Sequence, residues 1–311
     1  MYLQCKETEA DNLQDLMELW NDGEVMRYVG FPEGLKVTMD KMKSWLESLN
    51  KKEYTKHYSL LEDELGFIGE TFYSYISDKE PAILDIKLKK EARGKGLAKE
   101  ALAFAIDMLF KNTPAKTATV DPHSENQAAI NLYLGLGFQE VAKSKYQDSI
   151  HLVMTLAKED WQKARIEQVT LKEVTADNYF EVIKLSVRED QKHFVATNAV
   201  SLVQAAYEPG RLPRAIYAGG NIVGFIMLTL DDETGIYWVN RLMIDHKFQG
   251  LGYARRAMEL GLDLLYLLST KNLIYISFEP NNDVAKALYE SLGFNSTGRI
   301  EDGEIIYEKV W

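Results

Sequence analysis

The six residues RGKGLA, Arg93 to Ala98, return 156 positions later as QGLGYA, Gln249 to Ala254, with glycine and alanine in matching places. At that offset Asn126 falls on Asn282, Ala129 on Ala285, Leu132 and Tyr133 on Leu288 and Tyr289, and Gly137 and Phe138 on Gly293 and Phe294, without a gap. The stretches after each turn also agree. Ala98, Ala101, Leu102, Ala105, Ile106 and Leu109 stand against Ala254, Ala257, Met258, Gly261, Leu262 and Leu265, a spacing that marks one buried helix face in both copies. Nearer the starts, KETEADN from Lys6 matches KEVTADN from Lys172 at an offset of 166, so roughly ten residues were gained or lost in between. The chain is a tandem repeat of one domain.

With 311 residues there is room for two domains of ordinary size, and the repeat places them at 1–160 and 167–311. The join falls in AKEDWQKARIEQ, Ala157 to Gln168, which is charged, free of proline and glycine, and of helical character. In the first copy ADNLQDLMELWND predicts an amphipathic helix capped by Asp11 or Asn12. AILDIKL then sets Leu84, Ile86 and Leu88 on one face of a strand that leads into the turn. The second copy offers ADNYFEVIKLSV as helix, a hairpin around Gly219 and Gly220, and IYWVNRLMI as the strand before the turn. Strands and helices in this order predict an α/β (α+β) fold, a mixed sheet with helices on its faces.

Composition narrows the possible partners. The formal net charge is −11, with 22 basic and 27 acidic residues up to Ile166 and 14 and 20 after it, so neither half offers the positive surface that nucleic acid requires. The most apolar run, Leu260 to Leu268, is broken by Gly261 and Asp263 and is far shorter than the roughly 20 residues that cross a bilayer. No membrane association is expected. A lone cysteine, Cys5, and a start without a basic and apolar leader give a cytoplasmic expectation. No grouping of cysteine and histidine suggests a metal.

A strand that ends in glycines and opens into a helix presents several unpaired backbone N–H groups at the positive end of the helix dipole, which suits a phosphate. Glycine lets the main chain approach the anion closely. Two familiar phosphate loops fail the comparison. A nucleoside triphosphate loop needs Gly-Lys followed by Ser or Thr, but Lys95 is followed by Gly96 and Leu251 stands in its place in the second copy. A dinucleotide loop needs a third glycine where Lys99 and Arg255 stand.

The pattern that remains, Gln or Arg, two residues, Gly, one residue, Gly or Ala, resembles the loop of the GNAT superfamily of acyl-CoA-dependent N-acetyltransferases. It is met by Arg93, Gly96 and Ala98 and by Gln249, Gly252 and Ala254. The downstream signature of that superfamily is met twice, in ENQAAINLYLGLGF and NNDVAKALYESLGF, and the resemblance spans the whole chain as two units. It implies the acyl-CoA N-acyltransferase fold in two tandem copies and acetyl-CoA as cofactor. The pyrophosphate would be held by Arg93, Gly94, Lys95, Gly96, Leu97 and Ala98 in one copy and by Gln249, Gly250, Leu251, Gly252, Tyr253 and Ala254 in the other. Asn126 and Asn282 would contact the cofactor, and Tyr133 and Tyr289 would lie beside its sulfur. The second copy looks like the diamine and polyamine acetyltransferases, through QKHFVATNAVSLVQAAYEP and WVNRLMIDHKFQGLG. The first is similar to enzymes that acetylate protein N-termini and some aminoglycosides, through LMELWNDGEVMRYVG.

Acetyl transfer needs a neutral amine, a polarised carbonyl and a proton for the departing thiolate. An alkyl amine of pKa about 10.4 is only about one part in a thousand neutral near pH 7.4, a deficit of roughly 4 kcal/mol. Carboxylates that could take that proton are Glu279, Asp231, Asp232 and Glu233 in the second copy and Asp85 in the first; His123 is a further candidate near the amine, and His193 is expected in an amine-side helix or loop. Tyr289 and Tyr133 are the expected general acids toward the thiolate. A backbone N–H near Met243 or Ile244 is the expected donor to the carbonyl oxygen. The expected acceptor is the primary amine of a small, cationic, polyamine-like molecule; alternatives are an aminoglycoside, a protein N-terminus, or one copy, the first, that binds CoA without turnover. A tandem chain reproduces in one molecule the dimer that single-domain relatives form, so a pseudo-dimeric monomer is expected.

Overall fold

A computed structural model describes residues 3–146, 149–231, 235–268 and 271–310. The chain divides into two compact units, Met1–Trp161 and Gln162–Trp311.

The first unit runs β1 (Leu3–Glu7), α1 (Leu13–Asn21), α2 (Gly23–Met26), α3 (Met39–Leu49), β2 (Thr55–Glu62), β3 (Gly66–Ser74), β4 (Ala82–Leu88), α4 (Leu97–Asn112), β5 (Thr117–Val120), α5 (Gln127–Leu134), β6 (Gln139–Tyr146) and β7 (Ser149–Ala157). Helix α6 (Lys158–Glu167) follows, and the division between the units falls inside it. The second unit continues with β8 (Val169–Glu173), α7 (Tyr179–Lys184), α8 (Asn198–Tyr207), β9 (Arg211–Ala218), β10 (Asn221–Asp231), β11 (Ile236–Ile244), α9 (Tyr253–Leu268), β12 (Leu273–Phe278), α10 (Asp283–Ser291), β13 (Asn295–Glu301) and β14 (Glu304–Val310).

Each unit builds one seven-stranded sheet with the same order, β1-β2-β3-β4-β5-β7-β6 and β8-β9-β10-β11-β12-β14-β13. Neighbours are antiparallel except β4 with β5 and β11 with β12, which are parallel. Those parallel pairings are short. Only Ala82 and Ile83 of β4 pair with β5, and only Tyr237, Trp238 and Val239 of β11 pair with β12. Past those residues the strands part, so the last residues of β4 and β11 keep a neighbour on one side alone. That opening lies directly before the glycine turn and is what makes room for a site.

The alternation read from AILDIKL holds. Leu88 packs with Leu60, Ile68, Ala92, Leu97 and Ala101 under α4, with Ile86 alongside. The opposite face of this sheet is covered by α1 and α3, where Leu13, Leu16, Leu19, Met42 and Leu46 pack with Phe67. Within that second layer lies a chain of polar groups that the sequence did not disclose. Glu70, 1% exposed, accepts from Trp20 Nε1 (2.8 Å) and Lys87 Nζ (3.0 Å), and its Oε2 lies 2.8 Å from His57 Nε2. His57 Nδ1 is 2.9 Å from Thr8 Oγ1, and Lys87 reaches on to Asp85. Burial alone would raise the Glu70 carboxyl, but Lys87 and His57 overcome it and hold it down at about 2.

A carboxylate whose folded pKa lies below its unfolded value contributes stability above about pH 4.5, and that contribution is lost as pH falls toward 2. Glu70→Gln is expected to cost about 3 kcal/mol, because it leaves Lys87 buried with a lost partner. Urea unfolding followed by tryptophan fluorescence should show that loss at pH 7 and a much smaller one near pH 2.

Candidate functional site

Strand β4 ends at Leu88 and α4 begins at Leu97; between them Gly94 and Gly96 adopt φ of +76° and +81°. In the second unit Gly250 and Gly252 repeat this at +82° and +84° before α9. These angles lie in the left-handed region, where a side chain costs about 1 kcal/mol or more. Open space faces three of the four glycines, and only Gly252 has a neighbour, Ile166 Cδ1 at 3.1 Å from where a Cβ would sit. Among the described residues, the backbone N–H groups of Gly94 to Ala98, and of Gly250, Leu251, Gly252 and Ala254, donate to no protein acceptor. Several donors at a helix start, in front of open space, fit a diphosphate.

The side chains of the turns mostly face inward. Arg93 Nε and Nη2 both donate to the Leu88 carbonyl at 3.1 Å, and Gln249 Nε2 donates to the Ile244 carbonyl at 3.0 Å, so each turn is clamped onto the last residue of its strand. Leu97, Leu251 and Tyr253 are buried, and the Tyr253 hydroxyl accepts from Arg165 Nε at 3.1 Å. Ala98 and Ala254 are half-buried at the start of their helices, and Lys95 is exposed. The open part of each turn is therefore main chain.

In the second unit the turn borders a cavity of about 660 Å³. Its walls are β11 from Val239 to Ile244, the end of β12, α10 from its cap Asn282 to Leu288 and Tyr289 in its second half, and the segment from Val187 to Ala196, including His193. Met243 and Ile244 both line it. Asn282 caps α10 through Ala285 N (3.2 Å), as Asn126 caps α5 through Ala129 N (3.2 Å). Tyr289, 6% exposed, also lines the cavity, and its hydroxyl has no protein partner among the described residues. Burial, and then the charge of Glu304, push this phenol well above the usual tyrosine range.

Glu279 does not line the cavity. It sits just past the end of β12, where its carbonyl accepts from Asn282 N at 3.0 Å. The carboxylate in the cavity is Glu304, at the start of β14, which accepts from Ser277 Oγ. Arg241 joins it from β11. Asp232 and Glu233 lie outside the described residues, as does the side chain of Asp231.

In the first unit Tyr133, 4% exposed, is raised by burial and then by Asp85 and Asp121. Asp121 is itself raised, first by burial and, among its neighbours, by Asp85. The rings of Tyr28 and His123 are centred 5.5 Å apart and those of His123 and His151 5.4 Å apart, with His151 Nδ1 2.8 Å from the Asp121 carbonyl.

Two family profiles match the chain: one described as acetyltransferase (GNAT) domain over residues 6–139, and one described as acetyltransferase (GNAT) family over 170–294. A spermine/spermidine N(1)-acetyltransferase of Bacillus subtilis is 30% identical over 148 residues, covering 45% of this chain and 97% of that protein. The chain belongs to the GNAT acetyltransferase family. Among solved GNAT structures, a spermidine N-acetyltransferase from Vibrio cholerae in complex with CoA and spermine aligns with a TM-score of 0.46 at 18% identity, over 51% of this chain and 97% of that one. An aminoglycoside acetyltransferase in complex with coenzyme A aligns with a TM-score of 0.45 at 18% identity, over 53% and 99%.

Sequence reasoning about the two GNAT domains missed Arg241, Ser277 and Glu304. Arg241 was within reach, since the 156-residue offset pairs it with Asp85; Glu304 required the register of β14 against β12, which places Phe278 beside Ile305. Among the described residues no group of three or more potential metal ligands occurs, and no helix is long and apolar enough to cross a membrane. Gly96→Ala and Gly252→Ala are each expected to lower stability by about 1 kcal/mol through the positive φ alone, measurable by urea unfolding.

Proposed function

We propose that each domain transfers the acetyl group of acetyl-CoA to a primary amine of a small acceptor by direct attack. One observation supports this above the others: a single cavity joins the unpaired N–H groups of the second turn to the Tyr289 hydroxyl. Its volume is in the range of pockets that hold small ligands.

Bound acetyl-CoA supplies an acyl group activated as a thioester, and the net reaction turns an ammonium and a thioester into an amide, a thiol and a proton. The backbone of Gly94–Ala98 and of Gly250–Ala254 holds the diphosphate, with Lys95 adding charge in the first domain. The Asn126 and Asn282 side chains, each with Oδ1 committed to a helix cap, offer their amide N–H groups to the cofactor. A backbone N–H of Met243 or Ile244, on the part of β11 that has no strand on its cavity side, supports the carbonyl oxygen as negative charge develops on it.

Burial changes the part tyrosine plays. A phenol held above its usual pKa keeps its proton, so Tyr289 and Tyr133 stabilise the departing sulfur chiefly as hydrogen-bond donors, and the proton released overall is that of the amine. Glu304 is the carboxylate placed to receive it in the second domain, in preference to Glu279. In the first domain Asp85 and Asp121 both add to the burial that raises Tyr133, and Asp121 is itself raised chiefly by burial, with Asp85 adding to it. The Bacillus relative is named for polyamine substrates, which supports a polyamine-like acceptor for the chain.

Calorimetric titration with CoA is expected to find two sites per chain; one site would make one copy a scaffold. Tyr133→Phe and Tyr289→Phe should each lower turnover in their own domain at least about tenfold while leaving CoA affinity unchanged. A double variant that releases thiol at the full rate would sink the tyrosine assignment. Because both phenols are raised, kcat/KM should climb with pH as the amine loses its proton and show no tyrosine-dependent fall below about pH 10.

A further inference from the structure

The turn is repeated faithfully in the two domains, but the wall facing the acceptor is not. The pairing of β3 with β4 and of β10 with β11 fixes the correspondence there: Gly69 lies beside Leu88 as Gly224 lies beside Ile244, Glu70 beside Lys87 as Phe225 beside Met243, and Phe72 beside Asp85 as Met227 beside Arg241. Asp85 and Arg241 therefore occupy the same place, with opposite charge. Likewise Val120 beside Met154 corresponds to Ile276 beside Tyr307, which matches Asp121 with Ser277 and His151 with Glu304. The Glu70–Lys87 pair behind Asp85 becomes the apolar pair Phe225 and Met243.

Arg241 and Glu304 both line the cavity, and no ion pair joins them among the described residues. The neighbouring arginine, Arg211, is taken by Glu208, with Nε and Nη2 donating to Oε2 at 3.0 and 2.7 Å. Arg241 spends Nη1 on the Asn240 carbonyl (2.7 Å), while its Nε is buried without a partner. Glu304 receives only the Ser277 hydroxyl. Burial pushes Arg241 below the usual arginine range, and the charge of Glu304 across the cavity offsets this only in part. Two opposite charges thus share one cavity without a hydrogen bond between them, a costly arrangement unless a ligand brings both signs.

We infer that the acceptor of the C-terminal domain is a zwitterion, a primary amine that also carries a carboxylate, with Arg241 holding the carboxylate and Glu304 facing the amine. This rests on the acetyl-transfer reading for the reaction but not for the binding. Arg241 is then the residue that sets acceptor charge, because its planar guanidinium matches a carboxylate. The walls around it, including Val239, Leu242, Met243 and Phe278, suit an amino acid with an apolar side chain.

The test uses the full chain carrying Tyr133→Phe, so that turnover reports the C-terminal domain. L-Leucine and L-phenylalanine are compared with their carboxamides and with spermidine, by thiol release with acetyl-CoA and by calorimetric binding with CoA present. The amino acids are expected to bind at least tenfold more tightly than their amides. Arg241→Gln should abolish that preference and Arg241→Lys should restore part of it, with amide binding unchanged in both. Amides or spermidine bound as well as the amino acids, or a carboxylate preference that survives Arg241→Gln, would overturn the inference. Arg241-dependent binding of amino acids without thiol release would instead uphold the charge assignment and overturn the transfer reading.

Discussion

Everything in each domain is arranged around a main-chain problem: a strand must end, reverse its hand twice through positive φ, and enter a helix while leaving its N–H groups unpaired. Four glycines meet the conformational demand. The clamps from Arg93 and Gln249 back to the last strand carbonyl then hold the turn open. Such donors would be a liability if buried, and they persist because they face space that a diphosphate can fill. The early parting of β4 from β5 and of β11 from β12 extends that space along the strand edge, toward the tyrosine on the following helix.

Beyond the turn the copies part company. In the first domain the layer under α1 and α3 carries a buried ionic chain from Thr8 through His57, Glu70 and Lys87 to Asp85, whereas Phe225, Met227 and Met243 pack apolar against α7 in the second. A buried carboxylate of this kind fixes geometry more than it adds net stability. Here it holds Lys87, and through it Asp85, in one position beside Tyr133. In the second domain Arg241, at the matching strand position, is braced instead by its neighbour's carbonyl.

The duplication, the helix faces and the strand leading into each turn were legible in the sequence because each depends on local periodicity or on glycine at fixed spacing. The mixed sheet followed from element order. The wall of the cavity was not legible. Glu304 enters through the pairing of β14 with β12, and Glu279, which looked well placed by chain position, lies beyond the strand end and outside the cavity. His57 and Glu70 come together only across the β2–β3 hairpin, where one residue of slippage would turn each to the other face. The raised phenols were equally hidden, since tyrosine chemistry inferred from a motif assumes an ordinary pKa and burial removes that assumption.

That the open part of each turn is main chain has an evolutionary corollary. A point mutation replaces side chains, so most single changes leave the main-chain turn intact while altering the opposite wall, where Asp85 of one copy stands at the place of Arg241 in the other. With both copies on one polypeptide, any two substrate preferences so produced are synthesised in strict one-to-one stoichiometry, whatever the level of expression.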